Sequence, residues 1–177
     1  MADELLDQVD KDDNVIGTVW KSEAHRDLNI IHREVAVCLF SKKGEVLLAQ
    51  RSFDKKNDPG AWKMTSAGHP LSGESPETAV KRELFEELGI NVDPVFYGKY
   101  FSSHNIQGEN QESRFTWLYY ALLDEYPKTV LQKSEINDAK WVKVQDLSKF
   151  AIDNKYNLNS NSHKKIIEIA KFLKLFT

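Results

Sequence analysis

The chain of 177 residues has one cysteine, two methionines and five prolines, and its formal charge is only −3. Each scarcity excludes something. A lone Cys38 cannot close an internal disulfide, which fits a reducing compartment. Its neighbours, Val35-Ala36-Val37 and Leu39-Phe40, make it a small buried residue of a strand. No apolar run approaches the roughly 20 residues of a spanning helix. The acidic start Met1-Ala2-Asp3-Glu4 lacks the pattern of a secretory signal, so the expected location is cytoplasmic, with no membrane partner. The small net charge gives no support for wholesale nucleic-acid binding. A phosphate ligand must therefore be held by a local basic cluster or by metal.

There is no repeat, low-complexity tract or Pro/Ser-rich linker, so one domain over 1–177 is expected. Apolar composition of 41% and charged composition of 29% suit an ordinary globular core. Strand-like segments stand at Leu5–Val9 and Val15–Trp20, around the turn Lys11-Asp12-Asp13-Asn14. Glu34–Phe40 and Glu45–Gln50 read as a hairpin across Ser41-Lys42-Lys43-Gly44, and 53–61 as a loop. Further strands are expected at Val95–Phe101, Arg114–Leu123 and Ala139–Val144. Ser75 is a helix N-cap with Pro76 at the first helical position, and Gly89 ends that helix. A helix over about 162–176 packs through Ile166, Ile167, Ile169, Ala170, Phe172, Leu173 and Leu175.

The chemistry concentrates between Gly68 and Ile90. Glu83, Glu86 and Glu87 share one helical face, while Val80, Leu84 and Leu88 form an adjacent apolar stripe. Three crowded carboxylates repel one another unless a hard, oxygen-seeking cation sits among them. An acidic face balanced by Lys81 and Arg82 is the bland alternative. Gly68, Glu74, Arg82, Glu83, Leu84, Glu86, Glu87, Gly89 and Ile90 match the Nudix box at every defined position. Seven fixed residues would coincide about 3 times in 10⁹ starts, so the match is no accident of composition.

The chain therefore resembles the Nudix superfamily, and that resemblance implies an α/β/α sandwich with a mixed central sheet. It implies that Glu83, Glu86 and Glu87 are ligands of Mg²⁺ or Mn²⁺ or supply the general base, with Glu74 assisting and Arg82 orienting a carboxylate. Beyond the box, from about Leu5 to Leu147, the chain resembles the isopentenyl-diphosphate-isomerase-like branch. In that branch, histidines from the N-terminal extension, here within 1–32, join one directly after the first glycine of the box to bind a metal. The matching residues are His25, His32 and His69, with Glu112, or second Glu109, completing the set. Arg51 and Lys55 match residues that grip the substrate's diphosphate, with Gly68 nearby. Trp62 and Trp117 either wall the pocket or belong to the core.

One position departs from the branch. True isomerases carry a catalytic cysteine before the Gly-His pair, and this chain has Ala67. Alanine exchanges no proton, so the expected activity is Nudix hydrolysis of a small-molecule diphosphate. An isomerase and a catalytically silent nucleotide-binding module are the alternatives. A monomer or a homodimer is expected. Specificity would come from loops at 52–61 and 102–113, which carry no readable code for a base, sugar or prenyl group.

Overall fold

The computed structural model describes residues 3–55, 57–105, 111–153 and 158–175. Strands β1 (Leu5–Val9) and β2 (Val15–Trp20) are followed by a short helix α1 (Lys21–Ala24). The long strand β3 (Ile31–Ser41) leads into β4 (Glu45–Arg51), then short strands β5 (Trp62–Lys63) and β6 (Ser66–Gly68). Helix α2 (Pro76–Leu88) carries the glutamates. The long pair β7 (Val95–Asn105) and β8 (Gln111–Leu123), β9 (Ile136–Lys143), α3 (Leu147–Asp153) and α4 (Ser160–Phe172) complete the chain.

The strands form one mixed nine-stranded sheet. β3 is its axis: it runs parallel to β8 along all eleven residues and antiparallel to β6 through Val35, Ala36 and Val37. Because side chains alternate across a strand, β3 feeds two cores. Val35, Val37 and Leu39 pack with Ala79, Val80, Leu84 and Leu88 of α2. Ala36, Cys38 and Phe40 pack with Trp62, Leu118 and the α4 residues Ile166, Ile169 and Ala170. A strand buried on both faces reads as the continuous apolar run seen in the sequence.

α2 begins where the sequence says it should: Ser75 Oγ accepts from the Thr78 amide at 3.2 Å, and Pro76 follows. It ends at Gly89 in the left-handed conformation, φ +67°. Two expectations need correction. The β3–β4 hairpin pairs only at its tip, Phe40 with Val46 and Ser41 with Glu45, because β6 then occupies that side of β3. β4 instead pairs with β9 along Glu45–Arg51. The C-terminal helix starts two residues early, since the Asn159 side chain caps the Asn161 and Ser162 amides. It ends at Phe172 before Lys174, which has φ +56°. Among the described residues, no helix is long and apolar enough to cross a membrane.

Candidate functional site

β6 brings Gly68 and, just after it, His69 against the middle of α2, which sets the first glycine of the box on Glu83. A Cβ built on Gly68 would lie 2.1 Å from Cδ of Glu83. Arg82 ties the acidic loop together. Its guanidinium donates to Glu74 at 2.8 and 2.9 Å, to Glu83 Oε1 at 2.8 Å, to Glu86 Oε2 at 3.1 Å and to the His69 carbonyl at 3.0 Å. Burial pushes the Glu74 carboxyl up, but Arg82 and the Leu71 amide outweigh it and hold it below the usual range. Burial raises Glu83; Arg82 opposes the rise, while Glu87 and Glu86 add to it. Glu87 is buried: one oxygen accepts from Lys63 Nζ at 2.9 Å, and Oε2 has no hydrogen-bond partner among the described residues. Glu86 is half exposed, at 52% of its side chain. The three carboxylates thus line one face, and their donor chemistry fits a hard divalent cation.

A second cluster forms beside the first. His25 follows α1, His32 lies on β3, His69 follows β6 and Glu112 lies on β8; their ligand atoms all fall within 4.8 Å of one another. The rings of His25, His32 and His69 stand 5.1 to 5.2 Å apart, centroid to centroid. Burial, with the Lys21 and Arg114 charges behind it, pushes His25 down to about 4. Burial and then the neighbouring His25 push His32 down to about 3, and burial drives His69 well below its ordinary value. All three rings are therefore neutral near pH 7, with lone pairs to offer. Both ring nitrogens of His32 and Nδ1 of His69 are buried without a hydrogen-bond partner among the described residues. Orphaned buried donors and acceptors are costly, and a cation at this point would take one nitrogen of each ring. The set of three imidazoles and one carboxylate suits Mn²⁺ or Zn²⁺ better than Mg²⁺.

Gly68, Glu74, Arg82, Glu83, Glu86 and Glu87 of the box fall in the acidic cluster, Leu84 and Ile90 lie in the core, and the three histidines with Glu112 form the second cluster. Glu109, the other candidate, lies outside the described residues, as does part of the loop expected to close over a ligand. Arg51 donates from Nε to the Asn57 carbonyl at 3.0 Å, and Lys55 lies against Glu135 at 2.5 Å. Trp62 is core: it is 4% exposed, packs with Ala36, Cys38 and Phe40, and meets Phe150 edge-on. Trp117 is half-buried below Lys99 and beside Phe96. Ala67 is half-buried, paired with Ala36 in the ladder next to His69.

Sequence reasoning missed Lys63, Glu135, Glu34 and Arg114. The last two had a signal in the alternation of β3 and β8. Glu112, Arg114 and Thr116 are spaced by two, as are His32 and Glu34, so parallel pairing puts them on one face.

The NUDIX domain family model matches residues 30–166. An isopentenyl-diphosphate Delta-isomerase from Serratia proteamaculans is 32% identical over 146 residues, 82% of this chain and 80% of the relative. A Listeria monocytogenes protein described as an uncharacterised Nudix hydrolase is 34% identical over 118 residues, 66% of each chain. The crystal structure of a Deinococcus radiodurans protein matches with a TM-score of 0.68 at 22% identity, covering 96% of this chain and 98% of that one.

Proposed function

This chain belongs to the Nudix family, with isopentenyl-diphosphate isomerases among its relatives, and from that premise we propose a metal-dependent hydrolase. Enzymes of this kind use divalent metals and bind small-molecule diphosphates. The reaction proposed here is cleavage of the diphosphate linkage of a nucleotide-like or other organic diphosphate, with water attacking phosphorus. The observation that carries it is the assembled box: Arg82 joins Glu74, Glu83 and Glu86 while Glu83 packs on Gly68.

Glu86 and Glu87 would hold Mg²⁺ or Mn²⁺, with the unpaired Oε2 of Glu87 one of the donors. Such an ion, when bound, neutralises phosphate oxygens and makes water a better nucleophile near neutral pH. Glu83, whose proton affinity burial raises, accepts the proton of the attacking water. Arg82 holds that carboxylate in position and balances part of the local negative charge. Arg51 and Lys55 grip the diphosphate, Arg51 through a planar fork and Lys55 as a point charge. The protein is taken as one domain acting on a small molecule.

The histidine–glutamate cluster and the isomerase relatives favour a second reading, isomerisation of isopentenyl diphosphate. That chemistry moves protons at carbon and needs two proton-exchanging partners. Ala67 offers only a methyl group, packed on the core, and Cys38 is fully buried there. Hydrolysis is therefore the better reading. The test is release of phosphate or nucleotide from a panel of nucleoside diphosphates, nucleotide sugars, dinucleotides, coenzyme A and prenyl diphosphates, with Mg²⁺ and with Mn²⁺. Turnover that Glu86→Gln abolishes supports hydrolysis. Deuterium uptake at carbon from isopentenyl diphosphate, without phosphate release, would replace it with isomerisation.

A further inference from the structure

Arg114 stands opposite His32 in the β3–β8 ladder, on the face that carries the histidine cluster. Its guanidinium is shared between two carboxylates. Nη1 is paired with Oε1 of Glu112, and Nε lies 3.1 Å from Oε2 of Glu34, an ion-pair distance without hydrogen-bond geometry. Glu34 is itself anchored, accepting from Thr116 Oγ1 at 2.8 Å. The Glu112 carboxylate is 3% exposed, and its two oxygens have different neighbours. Oε1 meets Arg114, while Oε2 lies 3.5 Å from Nε2 of His25, toward the cluster.

We propose that Arg114 is a positioning residue of the histidine centre, holding one oxygen of Glu112 and so keeping the oxygen that faces His25 turned toward the histidine cluster. The proposal rests on reading His25, His32, His69 and Glu112 as a metal site. It adds what sets that site's preference: three nitrogens and a single oxygen favour Mn²⁺ over Mg²⁺, which takes an all-oxygen shell more readily. Glu34 is the counterweight. It draws the guanidinium to one side, so the fork cannot close over both oxygens of Glu112.

Two variants should move the preference in opposite directions. Arg114→Met removes the contact that holds the second oxygen and a nearby positive charge, so Mg²⁺ gains most and the Mn²⁺-over-Mg²⁺ ratio falls about tenfold. Glu34→Gln releases Arg114 to chelate Glu112 with both arms. Both ions then bind more weakly, Mg²⁺ more so because the carboxylate is its chief partner, and the ratio rises severalfold.

The experiment uses the full chain stripped of metal. Mn²⁺ binding is followed by electron paramagnetic resonance, Mg²⁺ by displacement of Mn²⁺, and folding by circular dichroism. Imidazole-nitrogen coupling to Mn²⁺ in the unaltered protein establishes the centre, and its absence would overturn both the centre and the role of Arg114. With that coupling present, opposite shifts of the ratio support the proposal. Ratios that stay fixed, or that shift the same way in both variants, would overturn the role of Arg114 alone. If Arg114→Met does not fold, a ratio that rises in Glu34→Gln supports the proposal, and one that is unchanged or falls overturns it.

Discussion

The carboxylate of Glu83 lies directly against the Cα of Gly68, so close that a Cβ there would meet Cδ at 2.1 Å and both oxygens at 2.3 Å. The glycine that opens the box is thus the floor on which its central acid rests. The clashing atoms are the far end of a flexible side chain, so Gly68→Ala should displace the carboxylate and leave the fold intact. The expected result is a loss of turnover of about a hundredfold, the scale of removing one well-placed catalytic group. Melting should stay within a few degrees of the unaltered protein. Full activity in Gly68→Ala would show that Glu83 does not need this position.

Much of that arrangement was legible in the sequence, because the box combines local rules with a fixed spacing. The Ser75 cap, Pro76, the Val80–Leu84–Leu88 stripe and Gly89 each state a helix boundary or face, and each is found in place. The histidines were legible through resemblance; 44 residues separate His25 from His69 in the chain, and no local rule joins them. What escaped was set by strand pairing at a distance. The hairpin expected over β3 and β4 gives way to the insertion of β6, a strand too short for periodicity to mark. Arg114 and Glu34 likewise belong to the site only because β8 runs parallel to β3, which joins residues 80 positions apart.

Gly89→Ala should separate stability from chemistry. The residue has φ +67°, and an added Cβ would lie 2.9 Å from Cβ of Val130. The left-handed conformation costs a residue with a side chain about 1 kcal/mol, and the contact adds to it, although Val130 is exposed and can yield. A destabilisation of about 1–2 kcal/mol, or roughly 2–8 °C in Tm, is expected with kcat unchanged. Calorimetry and a rate assay on the same sample check it. An unchanged Tm would mean that the α2 terminus relaxes without cost.

Lys55 and Glu135 form a half-buried pair whose side chains are 19% and 20% exposed. If Lys55 grips the diphosphate, Glu135 competes with the substrate for its charge. Lys55→Met should then raise KM about tenfold, the scale of one charge-assisted hydrogen bond, with kcat nearly unaltered. Glu135→Gln should lower KM severalfold. If both substitutions instead lower Tm and leave KM alone, Lys55 is a strut between the 52–61 loop and the start of β9.

The histidine cluster makes stability depend on pH in a direction that can be worked out. Burial holds His25 at about 4 and His32 at about 3, with His69 also far below the ordinary 6.5 of an unfolded chain. As pH falls below 6.5, the unfolded chain takes up protons that the folded one refuses, so the metal-free protein loses stability through that window. Three such sites give a slope of up to roughly 4 kcal/mol per pH unit, at about 1.4 kcal/mol for each proton. Glu83 works the other way, because its raised affinity lets the folded form gain a proton first on acidification, but it is one group against three. Chelated protein should therefore show a Tm that drops steeply between pH 6.5 and 5, and His32→Gln should flatten the drop by about one proton's worth. Added Mn²⁺ should raise Tm by a similar amount from pH 7 to pH 5, since the folded rings stay unprotonated and open to the ion until the pH nears 4. A Tm of the metal-free protein that is level across this range would mean that the three rings take up protons while folded.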